Sequence, residues 1–176
     1  MGVIYTIGHS TRTLEELIAA LRAHGIRTLV DIRAFPMSRR LPHFNREWLE
    51  AELPKEAVEY VWKKEMGGHR KKSTAESPNT GLRNESFRNY ADYMLTPEFQ
   101  MAAAEVRALT EKGKTAVMCA ERVYFHCHRM LVSDYYVAHG DEVLHIDATG
   151  PARPHKLTRE GHVVGGQLIY NAGQLF

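Results

Sequence analysis

The chain is poor in cysteine, in charge imbalance and in long apolar runs, and each shortage excludes something. Two cysteines among 176 residues cannot build a disulfide framework, and in a reducing compartment both are expected as thiols. Lys and Arg together number 23 against 21 Asp and Glu, and a net charge of +2 does not by itself imply a nucleic-acid partner. No run approaches the roughly 20 apolar residues that a membrane span requires. Met1 leads almost directly into a strand-like segment, without the basic, apolar and small-residue order of a secretory leader. The expected location is therefore the cytoplasm, with no membrane partner. What the chain does have is 44% apolar and 25% charged residues, the balance of an ordinary globular protein. A chain of 176 residues reads most naturally as one domain, able to bury a core without staples.

Apolar periodicity alternates between strand-like and helix-like segments. Val3 to Ile7 is a β-branched apolar run stopped by Gly8-His9-Ser10, which predicts a buried strand with His9 just past its carboxyl end. Thr13 and Glu16 form a capping box ahead of an apolar face of Leu14, Leu17, Ile18 and Leu21, and Gly25 ends that helix. Thr28 to Ile32 predicts a second buried strand, placing Asp31 and Arg33 at its end. A stiff basic loop with Pro36, Arg39, Arg40 and Pro42 follows, then a short helix capped by Asn45 with Phe44 and Leu49 as a hydrophobic staple. Val58 to Trp62 is rich in strand formers. Residues 66–86 are the one long polar stretch, expected as a mobile loop or lid.

Phe87 to Met94 predicts a helix, and Thr96-Pro97 opens another whose inner face is Phe99, Ala103, Val106 and Leu109. Thr115 to Met118 is a strand, a helix runs from Cys127 to about His139, and Glu142 to Ile146 is a fifth strand. Gly161 to Val164 and Gln167 to Tyr170 flank Gly165-Gly166, a two-residue hairpin signal. The expected architecture is a single α/β domain: a mostly parallel sheet of about five strands, helices on both faces, and a C-terminal β-hairpin.

The chemistry concentrates between Cys119 and Arg129, which hold both cysteines, Glu121, His126 and His128 in one strand-to-helix connection. Ligands of open α/β sheets settle outside the carboxyl ends of the strands, where His9, Ser10, Asp31, Arg33, Cys119 and Asp147 also fall. Cys119 reads as a thiolate nucleophile or, equally, as a small buried hydrophobe. Cys127, at a helix start, is expected to feel the helix dipole and so have a lowered pKa. His128 and Arg129 can grip an anion at the same helix end, and the plainer role for Arg129 is an ion pair with Asp31 or Glu121. His9 serves as acid, base or ligand, or as a structural histidine.

Cys119, Cys127, His128 and His9 or His126 include enough soft donors to raise a metal site. Seven residues between the cysteines do not match the spacing of a standard structural zinc site such as a ribbon or finger, and the sequence leaves metal and cofactor undetermined. Arg39-Arg40 and His69 to Lys72 can attract phosphate or nucleic acid, though short basic runs are commonly solvated faces. Tyr90, Tyr93, Tyr135 and Tyr136 are expected to pack rather than stack on bases. The leading expectation is an enzyme for an anionic, phosphate-bearing or nucleotide-like substrate. Arg33, Arg39, Arg129, Asp31 and Ser10 would bind it, while Cys119, Cys127, His9, Glu121 and His128 would act on it. The alternatives are a non-catalytic nucleic-acid-binding module, sulfur transfer and a Cys/His metal site.

Several motifs resemble the family catalogued as domain of unknown function 488. They are Thr6-Ile7-Gly8-His9-Ser10, Val30 through Arg39, Gly67-Gly68, Phe87 through Met94, Met118 through Glu121 with Cys127-His128-Arg129, and Pro154 through Thr158. Ile32 stands where the family pattern has valine and Asn89 where it has glycine; neither is a proposed reactive group. The resemblance implies a single α/β domain with a shared polar site and carries no established activity. A more distant likeness, to rhodanese-type sulfurtransferases, lies in the strand end at Asp31-Ile32-Arg33 and in Cys119 directly after a strand. The loop after Cys119 is longer than theirs and lacks their compact glycine-bearing cradle.

Overall fold

The computed structural model describes residues 2–73 and 76–171. Five strands run parallel: β1 (Val3–Gly8), β2 (Thr28–Asp31), β3 (Glu59–Trp62), β4 (Thr115–Cys119) and β5 (Glu142–Ile146). A sixth, β6 (Arg153–Pro154), pairs antiparallel with β5, and the spatial order is β3-β2-β4-β1-β5-β6. The hairpin forms as a separate sheet of β7 (Gly161–Val164) and β8 (Gln167–Tyr170), turning through Gly165 and Gly166, both at positive φ.

Helices cover both faces. On one lie α1 (Leu14–Ala23) and α2 (Arg46–Glu52), which pack Leu17, Ala20, Leu21 and Leu49 against Ile7, Leu29, Ala116 and Met118. On the other lie α3 (Glu85–Tyr93), α4 (Pro97–Leu109) and α5 (Arg129–Ala138), which pack Tyr90, Phe99, Val106, Leu131 and Tyr136 around Ile4, Val30 and Val117. Strand side chains alternate between faces, so each strand feeds both cores. The Thr13–Glu16 capping box forms as the sequence implies. At α2 the side-chain cap does not: the Asn45 amide oxygen accepts the Ser38 N–H at 2.6 Å, bracing the preceding loop, although Phe44 and Leu49 are both buried.

This topology positions the site. The chain leaves β1 and β2 toward the α1/α2 face but leaves β4, which lies between them, toward the opposite face. A crevice therefore opens at the carboxyl end of β4 on both sides. Of the 66–86 segment, residues 74 and 75 lie outside the described residues. The part beyond is anchored: Asn79 is buried, its amide donates to Asp92 at 2.7 Å and accepts from the Tyr170 N–H at 2.8 Å, and Gly81 N–H donates to the Tyr170 carbonyl.

Candidate functional site

β1 and β4 end in register, with Gly8 beside Cys119. The loop after Cys119 folds back over β1 so closely that a Cβ on Gly8 would lie 1.8 Å from the Glu121 carbonyl oxygen. Only glycine fits there. His9 N–H and Ser10 N–H donate to the carbonyls of Cys119 and Ala120, which joins the two strand ends into one floor. Ser10 takes positive φ to make that turn.

Two cavities meet above this floor. The larger, about 840 Å³, has Arg33, Cys119, Cys127, His128, Tyr90 and Phe87 in its walls, with His69, Arg70 and Lys71 from the 66–86 segment. The smaller, about 470 Å³, is lined by His9, Ser10, Ser38 and Arg122 among others. Arg33, Phe35, Ala120 and Glu121 belong to both. Small-molecule sites fall in the same range of volume.

Both cysteines are free and buried, Cys119 1% and Cys127 8% exposed; the Cys119 S–H donates to the Glu121 carbonyl at 3.4 Å, and each thiol shifts the titration of the other. Burial alone would raise the Cys119 thiol. The Cys127 thiol, the Arg129 charge and the loop backbone at Glu121 outweigh it and bring Cys119 below its ordinary pKa. Cys127 moves the opposite way. The neighbouring Cys119 thiol and its own burial push it up, against a smaller lowering from the Arg129 N–H at the start of α5. This corrects the expectation that the helix dipole would activate Cys127: a single N–H does not offset burial beside a second sulfur. Cys127 and His128 also precede α5, which begins at Arg129.

The Cys127 sulfur lies 3.2 Å from His128 Nδ1, and His128 Nε2–H donates to the Ile32 carbonyl at 2.8 Å. The second bond fixes the tautomer, so Nδ1 is the bare acceptor for the Cys127 S–H. Burial lowers His128 from 6.5 to about 4 and keeps the ring neutral. His9 is lowered likewise, to about 4, by burial. Its Nδ1–H donates to the Ser10 carbonyl at 2.8 Å, leaving Nε2 to accept from Arg33 at 3.3 Å.

Arg33 is held rigidly. Asp31, fully buried, accepts its Nε at 2.9 Å and one terminal nitrogen at 2.6 Å, and also the Tyr60 hydroxyl at 2.5 Å. Burial and then Asp31 raise the Tyr60 phenol, which stays a donor. Asp31 is thus a positioning group beneath the cavity, its oxygens committed to neighbours. Arg129 is equally sequestered at 1% exposure. It makes no ion pair with Asp31 or Glu121; it donates to Thr6 Oγ1 at 3.2 Å and to the carbonyls of Glu121 and Arg122 at 3.0 and 2.8 Å. It fastens the loop from behind, and its Nε has no hydrogen-bond partner among the described residues. Arg39 is exposed on a separate depression with Met37 and Pro42. Asp147 lies apart, in a surface pair with Arg122. Glu121 stands exposed between the two cavities, its carboxylate in no hydrogen bond or ion pair among the described residues. No three His, Cys, Asp or Glu side chains among the described residues gather as metal donors.

A family model described as "Domain of unknown function DUF488" matches residues 13–136. The chain belongs to the DUF488 family. The matched span holds Arg33, both cysteines and His128, while His9, Ser10 and the hairpin lie outside it. No match was found among curated proteins or solved structures.

This DUF488 domain also contains a buried polar chain that the sequence reading did not foresee. Thr6 Oγ1 donates to His145 Nδ1 at 2.5 Å, His145 Nε2 to His155 Nδ1 at 2.8 Å, and His155 Nε2 to Asp134 at 2.7 Å. Tyr170 donates to the other Asp134 oxygen at 2.8 Å, and Tyr124 stacks on His145 with centroids 3.9 Å apart. The signal was available: Asp134 lies among the apolar positions Leu131, Val132 and Tyr136 of α5, and His145 interrupts an apolar strand. The chain supports Arg129 through Thr6 and so stands behind the cysteine loop.

Proposed function

We propose that this chain is an enzyme that holds an anionic, phosphate-bearing or nucleotide-like molecule in the larger cavity and attacks it with Cys119. One observation carries the reading: a thiol of lowered pKa opens into a cavity lined by Arg33, Arg70 and Lys71, with Glu121 the one carboxylate in its wall and Asp31 paired with Arg33 behind it. An attacking cysteine needs thiolate character, and an anion needs fixed cations. Arg33, aimed by Asp31, is such a fixed group; Phe35, Phe87 and Tyr90 supply aromatic surface for the rest of the molecule. Glu121, free at the mouth, is placed to move a proton on the open side of the cavity, since the bare nitrogen of His9 is turned to Arg33 and that of His128 to Cys127. The Gly68–Lys71 stretch serves as the lid.

Charge-selective alkylation tests this. Iodoacetate and iodoacetamide differ chiefly in charge, and peptide mapping reports which cysteine each labels. Cys119 should label faster than Cys127, with an iodoacetate-to-iodoacetamide rate ratio roughly tenfold above that of a free thiol, as about 1.4 kcal/mol from nearby cations would give. Inorganic phosphate or a nucleoside monophosphate should slow the labelling. If neither thiol labels in the folded protein, or the ratio equals that of a free thiol, the reading fails.

A further inference from the structure

The Cys127–His128 pair is not needed for a single nucleophilic attack by Cys119, yet it is built with some precision. His128 Nε2–H is tied to the Ile32 carbonyl, so its Nδ1 stays bare, and that nitrogen is 3.2 Å from the Cys127 sulfur. Tyr90 presses its ring edge-on at 5.1 Å, and Gly68 passes so near that a Cβ there would lie 3.2 Å from Nδ1. The ring is therefore wedged in one orientation. The sulfur it faces lines the same cavity as Cys119 and lies in the same buried cluster. A buried thiol with a base on one side and a second thiol on the other is arranged to attack that second sulfur.

We propose that Cys119 and Cys127 are a redox pair: Cys119 takes one sulfur of a small anionic disulfide, and Cys127, giving its proton to His128 Nδ1, resolves the adduct. This rests on the reading of Cys119 as the cavity's nucleophile. In the first step the Cys119 thiolate attacks one sulfur of the disulfide. A mixed disulfide forms and the departing thiolate carries away the electron pair of the broken bond. In the second, the mixed disulfide has removed the Cys119 thiol and charge that held Cys127 up, and Cys127 passes its proton to His128 as it attacks the Cys119 sulfur, forming the Cys119–Cys127 bond. The second thiolate leaves and is protonated from the imidazolium. Two protein thiols are oxidised by two electrons, and one disulfide becomes two thiols. Arg33, Arg70 and Lys71 favour a disulfide bearing carboxylates.

The test uses the fully reduced chain with oxidised glutathione, which is anionic, and cystamine, which is cationic, followed by acid quench and intact-mass analysis. The wild type should lose two hydrogens and release two glutathione thiols per chain, with cystamine slower by roughly tenfold or more. Cys127→Ser should stop as one glutathione adduct on Cys119, and Cys119→Ser should form none. His128→Ala should still form the adduct and resolve it roughly a hundredfold more slowly, the lower range for loss of a general base. If the wild type stops at a stable adduct on Cys119, the resolving role falls while the nucleophile stands. If Cys119 alkylates but no disulfide reacts, the redox role falls alone. If nothing labels Cys119, both readings fall together.

Discussion

At the scale of single residues, the cavity depends on groups that never touch its contents. Asp31 accepts from Arg33 and Tyr60 at zero exposure, so its charge is compensated and its geometry fixed from two elements. Replacing Asp31 by Asn keeps the shape but leaves a buried guanidinium without its counter-charge. The expected loss is about 3 kcal/mol, read as a lower denaturant midpoint with unchanged slope. Arg33→Lys should weaken phosphate protection of Cys119, because an ammonium cannot keep both bonds to Asp31 and so loses the fixed aim of the charge. The pairing of Asp31 with Arg33 was within reach of sequence reasoning, since residues two apart at a strand end share a face. The burial of Arg129 was not, because its acceptors are loop carbonyls and a threonine that come from distant parts of the chain.

At the scale of elements, the β4–α5 connection is held in place by close approach as much as by hydrogen bonds. Gly8→Ala should push the loop at Glu121 off β1, cost about 2 kcal/mol as an overpacked contact does, and slow iodoacetate labelling of Cys119 severalfold. A labelling rate equal to wild type in a folded Gly8→Ala protein would show that the loop's course does not set the thiol's environment. The Asp134 chain makes a second prediction. Asp134→Ala strips the acceptor from His155, Tyr170 and the Thr158 N–H at once, and should destabilise by about 3 kcal/mol or more, measured by chemical denaturation. Periodicity revealed the five parallel strands and five helices because each carries an apolar face. It could not reveal β6, two residues long, containing proline and paired only at the sheet edge. Nor could it show that part of the 66–86 segment is anchored, because those anchors join Asn79 to α3 and to the hairpin, far away in sequence.

For the whole molecule the histidines set the acid limb of stability. Burial holds His9 and His128 at about 4 and His145 at about 3, against 6.5 unfolded. Below pH 6.5 the unfolded chain binds these protons while the folded one does not. Their contribution is therefore complete above pH 6.5 and is lost as pH falls toward 4. Stability should decline with a slope approaching roughly 1.4 kcal/mol per pH unit for each such histidine. Denaturation midpoints between pH 4 and 8 check this; a flat profile down to pH 5 would mean that the rings are already charged in the fold.

The end of the hairpin has a reach out of proportion to its size. Tyr170 grips Asn79 and Gly81 through its backbone and Asp134 through its hydroxyl; Asn79 in turn holds Asp92 on α3, the helix whose Phe87 and Tyr90 face the thiols. A change at position 170 therefore works like slackening a drawstring: it would be felt at the cavity wall through Asn79 and behind the cysteine loop through Asp134, although Tyr170 is not itself part of that wall.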